Sequence, residues 1–369
     1  MDFSFTEEQE TVGKVARQLF EHRATPEHLT ELEAGEMRYD GPLWRELATS
    51  DLLGIALPES VGGSGGGFLE LGVLLTEVGW SVAPVPVYAT LVLGADTIAR
   101  HGDSEIQQRY LPRVADGSTI LTAALTEPGN SDPTAPRTTA RADGDTWRLD
   151  GAKDLVPAAQ LAAAIVVSAR ADDGPGLFVV ETSGDGVNVT PVRTTNGEPF
   201  ADVELTGAVA RRLTEHDGAD IVGSLYTRAL VGLCAIQIGV AERALKLAAS
   251  YTSEREQFGR PIGSFQAVQQ RLADAFIDVE AIRWTTWHAA WLVAEGRPAD
   301  REAAIAKFWA AEAGARVAAS AQQVHGGMGI DVTYPLSRYF LWAKQIELAL
   351  GSASQQLARL GAAYPEGSK

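Results

Sequence analysis

The spacing of hydrophobic residues divides the chain into three segments of different secondary structure. From Thr6 to about Arg113 apolar residues recur every three or four positions, as in helices. Between about Ser118 and Thr214, short runs rich in Val, Ile, Leu and Thr alternate with turn residues, which is typical of strands. Helical spacing returns from about Asp217 to Ala363. This order predicts an α+β fold with an N-terminal helical domain (1–117), a middle β-domain (118–216) and a C-terminal four-helix bundle (217–369).

Individual elements can be predicted within these segments. Thr6 and Gln9 have the spacing of a capping box, so a helix should begin just after Thr6. Thr146–Leu149 stands between two turn signals and should form a hairpin strand. Further strands are predicted at Thr119–Thr122, Ile165–Ser168, Leu177–Val180 and Val187–Val189. Helical spacing places Phe265, Val268, Leu272, Phe276 and Val279 on one helix face.

Composition narrows the function classes. The 369 residues include 31 basic and 48 acidic side chains, which gives a formal charge of −17. This excess disfavours non-specific binding to nucleic acid or anionic lipid. Cys234 is the single cysteine, so the chain can form neither an intrachain disulfide nor a cysteine-based zinc site, and no metal site is predicted. The acidic N-terminus lacks the features of a signal peptide, and the apolar stretch Leu230–Ala241 is short for a bilayer span, which favours a cytoplasmic protein.

The segment 253–266 carries residue types suited to an anionic ligand. Arg255 and Arg260 flank an aromatic residue and a glycine at a predicted helix junction. A guanidinium can hold a phosphate through two hydrogen bonds, and glycine allows close backbone approach. From the residues alone, a phosphate site and a solvated turn with salt bridges are equally plausible.

Two further segments carry weaker signals. In 322–330, three glycines within four residues follow a predicted helix, and their N–H groups would suit a pyrophosphate or simply form a helix C-cap and tight turn. His325 is interpreted as a packed or turn histidine rather than a catalytic one. The segment Leu125–Asp132 reads, by itself, as an ordinary turn.

Together and in this order, the three segments resemble the acyl-CoA dehydrogenase family. The resemblance covers nearly the whole chain, and 255–266 is its most specific part. It implies an enzyme that binds FAD between subunits, oxidises an acyl-CoA thioester to the 2,3-enoyl form and passes electrons to an electron-transfer flavoprotein. In the family, the Arg-x-x-Phe-Gly and Gln-x-x-Gly-Gly segments contact the FAD of a neighbouring subunit. The resemblance therefore assigns FAD contacts to Arg255, Gln257, Phe258, Gln266, Gln323, Gly326 and Gly327.

The chain departs from the family at the catalytic base. The family's base is usually a Glu that follows a Tyr-Pro segment and directly precedes a Gly; here Leu350 precedes Gly351, and leucine cannot accept a proton. Some relatives carry the Glu on the helix after the β-domain, but Thr227–Gly239 contains no carboxylate. Glu347 is the nearest spare carboxylate, and a solvated or salt-bridged surface role is the favoured interpretation. No catalytic residue is therefore assigned.

The β-domain departs as well. Gly129–Asp132 is one residue shorter than the family's continuation of the Thr-Glu-Pro motif. The strand that packs on the flavin ring corresponds to Leu155–Pro157, and proline offers neither a hydroxyl nor a backbone N–H. The groups for a partner's FAD are kept while those for the chain's own FAD are degraded.

This division predicts a non-base subunit of a heteromeric FAD-dependent acyl-CoA dehydrogenase. The partner would be a second subunit that carries the catalytic Glu, in an α₂β₂ assembly, and Tyr339–Lys344 resembles the actinobacterial enzymes that shorten steroid side chains. One alternative is a self-sufficient homo-oligomer with a relocated carboxylate such as Glu347. Another is a non-catalytic acyl-CoA-binding or assembly protein.

Overall fold

The computed structural model of the protein describes residues 4–130, 132–213 and 218–363. Ser131 and the predicted boundary at 216/217 lie outside these ranges. The described chain runs through helices, then a β-sheet, then helices, which confirms the predicted α+β class. The numerical domain bounds 1–117, 118–216 and 217–369 remain a prediction. By compactness the chain forms a first unit from Met1–Ala34, Gly72–Ala83 and Leu230–Lys369, and a second from Gly35–Leu71 and Pro84–Ala229.

The second unit is built around a seven-stranded sheet. Its strands are β1 Leu121–Ala124, β2 Thr139–Asp143, β3 Thr146–Pro157, β4 Ala164–Ala171, β5 Gly174–Glu181, β6 Val187–Val192 and β7 Phe200–Arg212. Their order is β1-β4-β2-β3-β7-β5, with β6 on β7, and β4 also pairs with β5, so part of the sheet closes into a ring. Alternate side chains, such as Val167 and Phe178, fill its core and are 0% exposed. The predicted strands are confirmed, although β1 begins two residues later than expected.

The same unit contains short helices outside the sheet. They are α3 Gly41–Thr49, a π-helix at Tyr88–Ala95 that continues into α5 Asp96–His101, and α6 Ser104–Ala115. Arg228, in the first third of helix α7 (Gly218–Glu254), pairs with Asp96 at 3.1 Å and thereby ties that part of the helix to α5.

The first unit is helical. It contains α1 Glu7–Arg23, α2 Pro26–Glu33, the later parts of α4 Phe68–Ser81 and α7 Gly218–Glu254, α8 Gln266–Ala294, α9 Asp300–His325, α10 Leu336–Leu348 and α11 Ala353–Ala362. The capping box at α1 is confirmed, because the Gln9 N–H donates to the Thr6 hydroxyl and the Thr6 N–H donates to the Gln9 side chain. A Cβ at Gly239 would lie 1.9 Å from the Thr76 carbonyl oxygen. Helices α4 and α7 can therefore pack this closely only because residue 239 has no side chain.

The predicted hydrophobic face of α8 is only partly a core face. Val279 is buried, but Phe276 is 56% exposed, and Ile277 and Trp284 are exposed beside it. Spacing of three and four defines a stripe along a helix, and it does not say which part of that stripe meets the protein core. The helix itself is confirmed.

Helix α7 is long and apolar enough to cross a membrane by length and composition. However, 83% of its most apolar window is buried inside the protein, as in the core helix of a globular domain. The helix is therefore weak support for a membrane span.

Candidate functional site

The segment after α7 forms a tight hairpin. Strands β8 Glu256–Gln257 and β9 Arg260–Pro261 are antiparallel and are joined by Phe258 and Gly259. Both turn residues have positive φ, 55° and 75°, which matches a two-residue type I′ turn. A left-handed conformation costs a non-glycine residue about 1–2 kcal/mol. Phe258 is nevertheless 93% exposed, so the strained turn presents an aromatic ring to the outside of this chain.

The two arginines of this hairpin are used differently. The guanidinium of Arg260 lies 4.2 Å from the centre of the Phe265 ring, so it is held by a cation–π contact within the segment. Arg255 is fixed through its backbone, because its N–H donates to the Tyr251 carbonyl (2.9 Å) and its carbonyl accepts from the Ile262 N–H (2.8 Å). Its side chain is exposed and makes no ion pair with the described residues. Arg255 is therefore the guanidinium available to an external anion.

The glycine segment begins where α9 ends. Gly326 has a φ of 59° and a ψ of −131°, a conformation that favours glycine, and a short 3₁₀ turn covers Gly326–Ile330. A Cβ added at Gly326 or Gly327 would meet nothing within 4 Å, whereas one at Gly329 would lie 2.7 Å from the Gln322 carbonyl oxygen. The first two glycines thus leave room for a ligand next to the backbone, and Gly329 has a packing role.

The seven residues that the sequence assigns to FAD contacts are all exposed in the first unit. The hairpin supplies three of them, α8 begins with Gln266, and the end of α9 supplies the rest. The rings of Tyr251 and His325 stack at 4.3 Å, which brings the base of the hairpin next to the glycine segment. His325 is 3% exposed, consistent with its interpretation as a packed histidine.

Position 350 lies in a loop whose backbone carbonyls accept hydrogen bonds from buried polar side chains. The Lys307 ammonium donates to the carbonyls of Glu347 (3.2 Å) and Gly351 (2.9 Å), and the Gln356 amide donates to the Leu350 carbonyl (3.1 Å). Lys307 and Gln356 are both 0% exposed. Burial lowers the pKa of Lys307 to about 8. The loop backbone is therefore well anchored, and the residue that it presents there is an aliphatic one.

Glu347 lies on the last turn of α10. Its carboxylate forms an ion pair with Lys344, three residues earlier on the same helix. Its backbone carbonyl accepts from Lys307. This geometry agrees with the salt-bridged role favoured from the sequence.

The segment that reads as an ordinary turn contains a buried ion pair, which sequence reasoning missed. The Glu127 carboxylate accepts from Lys153 (2.8 Å), from the N–H (2.8 Å) and hydroxyl (2.7 Å) of Thr138, from the Arg137 N–H (2.7 Å) and from the Asn130 amide (3.1 Å). Burial alone would raise its pKa, but these donors outweigh that effect and lower it to about 2. Lys153 also donates to Ser168, and burial lowers its pKa to about 8. Glu127 therefore organises the β-domain.

The C-terminal end of β3 offers little to a flavin ring. A register shift separates Lys153 from Val156, and within it Leu155 has a φ of 50° and is 49% exposed. Pro157 has no N–H, and its carbonyl already accepts from the Thr122 hydroxyl at 2.6 Å. Pro157 therefore cannot donate a hydrogen bond to a flavin ring at this end of the strand. By contrast, the exposed guanidinium of Arg255 and the free space beside the backbone at Gly326 and Gly327 fit the phosphates of a dinucleotide, and of the two glycines Gly326 already donates its N–H to the Gln323 carbonyl.

Comparisons with known proteins agree with the family resemblance. The models described as the acyl-CoA dehydrogenase N-terminal, middle and C-terminal domains match residues 6–118, 122–208 and 216–364. Acyl-CoA dehydrogenase FadE27 of Mycobacterium tuberculosis is 42% identical over 98% of each chain. A chain of the ChsE4-ChsE5 complex from Mycobacterium tuberculosis is 43% identical, with a TM-score of 0.93 over 99% of this chain and 100% of that chain. A variant of the steroid ACAD Tcur3481-Tcur3483 is 47% identical, with a TM-score of 0.92 over 96% and 97% of the two chains.

Proposed function

Since this chain belongs to the acyl-CoA dehydrogenase family, whose cofactor is FAD, we propose that it is the non-base subunit of a heteromeric acyl-CoA dehydrogenase. In this proposal two copies combine with two copies of a partner subunit that carries the catalytic Glu. The complex acts in the cytoplasm and passes its electrons to an electron-transfer flavoprotein. The substrate is the CoA thioester of a steroid side chain.

The observation that carries the proposal is Leu350. An aliphatic side chain cannot remove the α-proton of a thioester, and the loop that holds it is anchored by Lys307 and Gln356. Glu347 is the one carboxylate between Tyr334 and Gly351, and it is engaged with Lys344. Dehydrogenation therefore requires a base from another chain.

The distribution of polar groups supports a role at a partner's FAD. The Arg255 guanidinium is exposed and pairs with no acid among the described residues, and no atom lies within 4 Å of a Cβ added at Gly326 or Gly327. We assign Arg255 to a phosphate of FAD, the two glycines to the pyrophosphate, and Phe258 to an apolar face of the cofactor. Gln257, Gln266 and Gln323 supply amide donors and acceptors around them. When bound, FAD supplies the acceptor for the β-hydride.

The substrate class and the assembly come from the relatives. One matched structure is the ChsE4-ChsE5 complex, and another is a variant of the steroid ACAD Tcur3481-Tcur3483. Both cover at least 96% of this chain at more than 40% identity. This similarity supports a heteromeric assembly and a steroid thioester for the chain described here.

Replacing Glu347 by Gln tests whether this chain supplies its own base. We expect Glu347→Gln to leave the kcat of the assembled complex within about twofold of the parental value, because the carboxylate serves a partly exposed ion pair, worth about 0–1 kcal/mol. Steady-state kinetics with an acyl-CoA and an artificial electron acceptor would measure the effect.

Glu312→Gln is the matched control, since Glu312 also pairs with a basic residue on its own helix, Arg316. A loss of activity of about a hundredfold or more in Glu347→Gln alone would identify Glu347 as the base, since positioned acid–base groups contribute about 10²–10⁴-fold. That result would favour the self-sufficient homo-oligomer over our proposal.

A further inference from the structure

Three aromatic side chains, a buried His325 between the partly exposed Tyr251 and Tyr334, form a cluster at the base of the proposed FAD-contacting segments. The rings of Tyr251 and His325 are stacked, with centroids 4.3 Å apart and an angle of 22° between their planes. The ring of Tyr334 lies 5.1 Å from that of His325, and its hydroxyl is 3.1 Å from His325 Nε2. His325 thus contacts one tyrosine through its ring face and another through a ring nitrogen.

The hydrogen bonds of His325 define its tautomer. Nδ1 lies 2.7 Å from the Ala321 carbonyl oxygen, which can only accept, so Nδ1 carries the proton. Nε2 is then the acceptor for the Tyr334 hydroxyl. Burial lowers the pKa of His325 and outweighs the opposite effect of the Ala321 carbonyl, so the neutral ring is favoured. Charged groups that act on the Tyr334 side of the cluster are Glu254 and Arg243.

Each member of the cluster adjoins one segment that the site requires. The backbone carbonyl of Tyr251 accepts from the Arg255 N–H and so supports the hairpin. His325 is the last residue of α9 and directly precedes Gly326. Tyr334 donates its hydroxyl to His325 and closes the turn after the glycine segment, where its N–H donates to the Asp331 carbonyl at 3.1 Å. One imidazole therefore connects the hairpin to both ends of the glycine segment.

We propose that neutral His325 is a positioning residue that fixes the Arg255 hairpin and the Gly326–Gly327 backbone relative to each other, so that both meet one dinucleotide phosphate group. This inference rests on the proposed function. His325 itself does not touch the cofactor. It acts through Tyr251 on one side and Tyr334 on the other.

Amide hydrogen exchange on the purified chain tests the positioning without FAD. In His325→Leu we expect amide exchange within both 255–262 and 326–331 to accelerate about tenfold. The variant loses the hydrogen bonds of the imidazole and its stacking on Tyr251, and the combined stabilisation from such contacts corresponds to about a tenfold change in the opening equilibrium. His325→Gln retains an oxygen for the Tyr334 hydroxyl and should restore most of the protection in 326–331. If either segment of the His325→Leu variant exchanged its amide hydrogens at the parental rate, the proposal would be overturned.

His288→Leu is the matched control, because His288 is an exposed histidine on α8 that stacks with Trp291. If His325→Leu does not fold, Tyr334→Phe tests the link to the glycine segment by itself, since it removes only the hydroxyl that bonds to Nε2. It should accelerate exchange in 326–331, and an unchanged rate there would overturn the proposal.

The assembled complex distinguishes this inference from the proposed function. Fluorescence titration of the FAD-depleted complex with FAD should give a dissociation constant about tenfold higher in His325→Leu and nearly parental in His325→Gln. If His325→Leu binds FAD normally while Arg255→Ala does not, the positioning role fails and the proposed function stands. If Arg255→Ala also binds normally, the assignment of these segments to FAD fails with it.

Discussion

Replacing Arg255 by Ala in the assembled complex should weaken FAD binding about 10- to 100-fold and leave the fold of the chain intact. A hydrogen bond to a charged group contributes about 1.5–3 kcal/mol, which corresponds to roughly that range of affinity. The fold should survive because the Arg255 side chain is exposed and makes no ion pair with the residues that the structure covers. Flavin content after gel filtration and FAD titration would both report the change.

Two further variants make the Arg255 result specific. Arg301→Ala removes an exposed arginine that pairs with its neighbour Glu302, and it should bind FAD like the parental complex. Arg255→Lys keeps the charge but not the planar, two-point geometry, so its affinity should lie between those of the parental complex and Arg255→Ala. Equal FAD affinity in Arg255→Ala and Arg301→Ala would contradict a phosphate contact by Arg255.

Glu127→Gln should destabilise the β-domain by about 3–5 kcal/mol, the range for removing one partner of a buried ion pair. Lys153 is 0% and Glu127 3% exposed in the side chain, so an unpaired ammonium would remain in the core. Chemical denaturation followed by fluorescence would measure the free energy of unfolding. Ser168→Ala, which removes the second acceptor of Lys153 and a weak donor to the Ala124 carbonyl, should cost about 1 kcal/mol.

The same variant should change how stability depends on pH. The pKa of Glu127 is depressed to about 2 from an ordinary value of 4.5, so its contribution is complete above about pH 4.5 and is lost as the pH falls through about 2. The parental chain should therefore lose stability across this window more steeply than Glu127→Gln. Parallel pH profiles for the two proteins would mean that Glu127 is not held as a charged acceptor.

Local patterns in the sequence predicted much of the fold. The capping box at Thr6, the strands of the β-domain and helix α8 all depend on residues that are neighbours in the chain. The exposed site residues could be assigned from the family resemblance because Arg255 and Gly326 belong to short contiguous motifs. The structure adds that these motifs are backbone-anchored and open on the outer side.

Buried polar residues were the features that the sequence could not predict. Lysine is almost always exposed, so nothing in the sequence marks Lys153 or Lys307 as 1% and 0% exposed. Their partners lie far along the chain: Glu127 is 26 residues from Lys153, and Gly351 is 44 residues from Lys307. Such pairs arise from tertiary packing. The hydrophobic periods of strands (two residues) and helices (3.6 residues) carry no information about them. The stacking of Tyr251 on His325 belongs to the same class.

The count of FAD per polypeptide in the purified heteromeric complex is the most direct measurement of the central claim. If this chain lends contacts to a partner's cofactor and holds none of its own, absorbance and protein analysis should give one FAD for every two chains, and the chain purified alone should be nearly flavin-free and inactive. One FAD per chain in the complex, or a yellow and active preparation of this chain alone, would contradict the account.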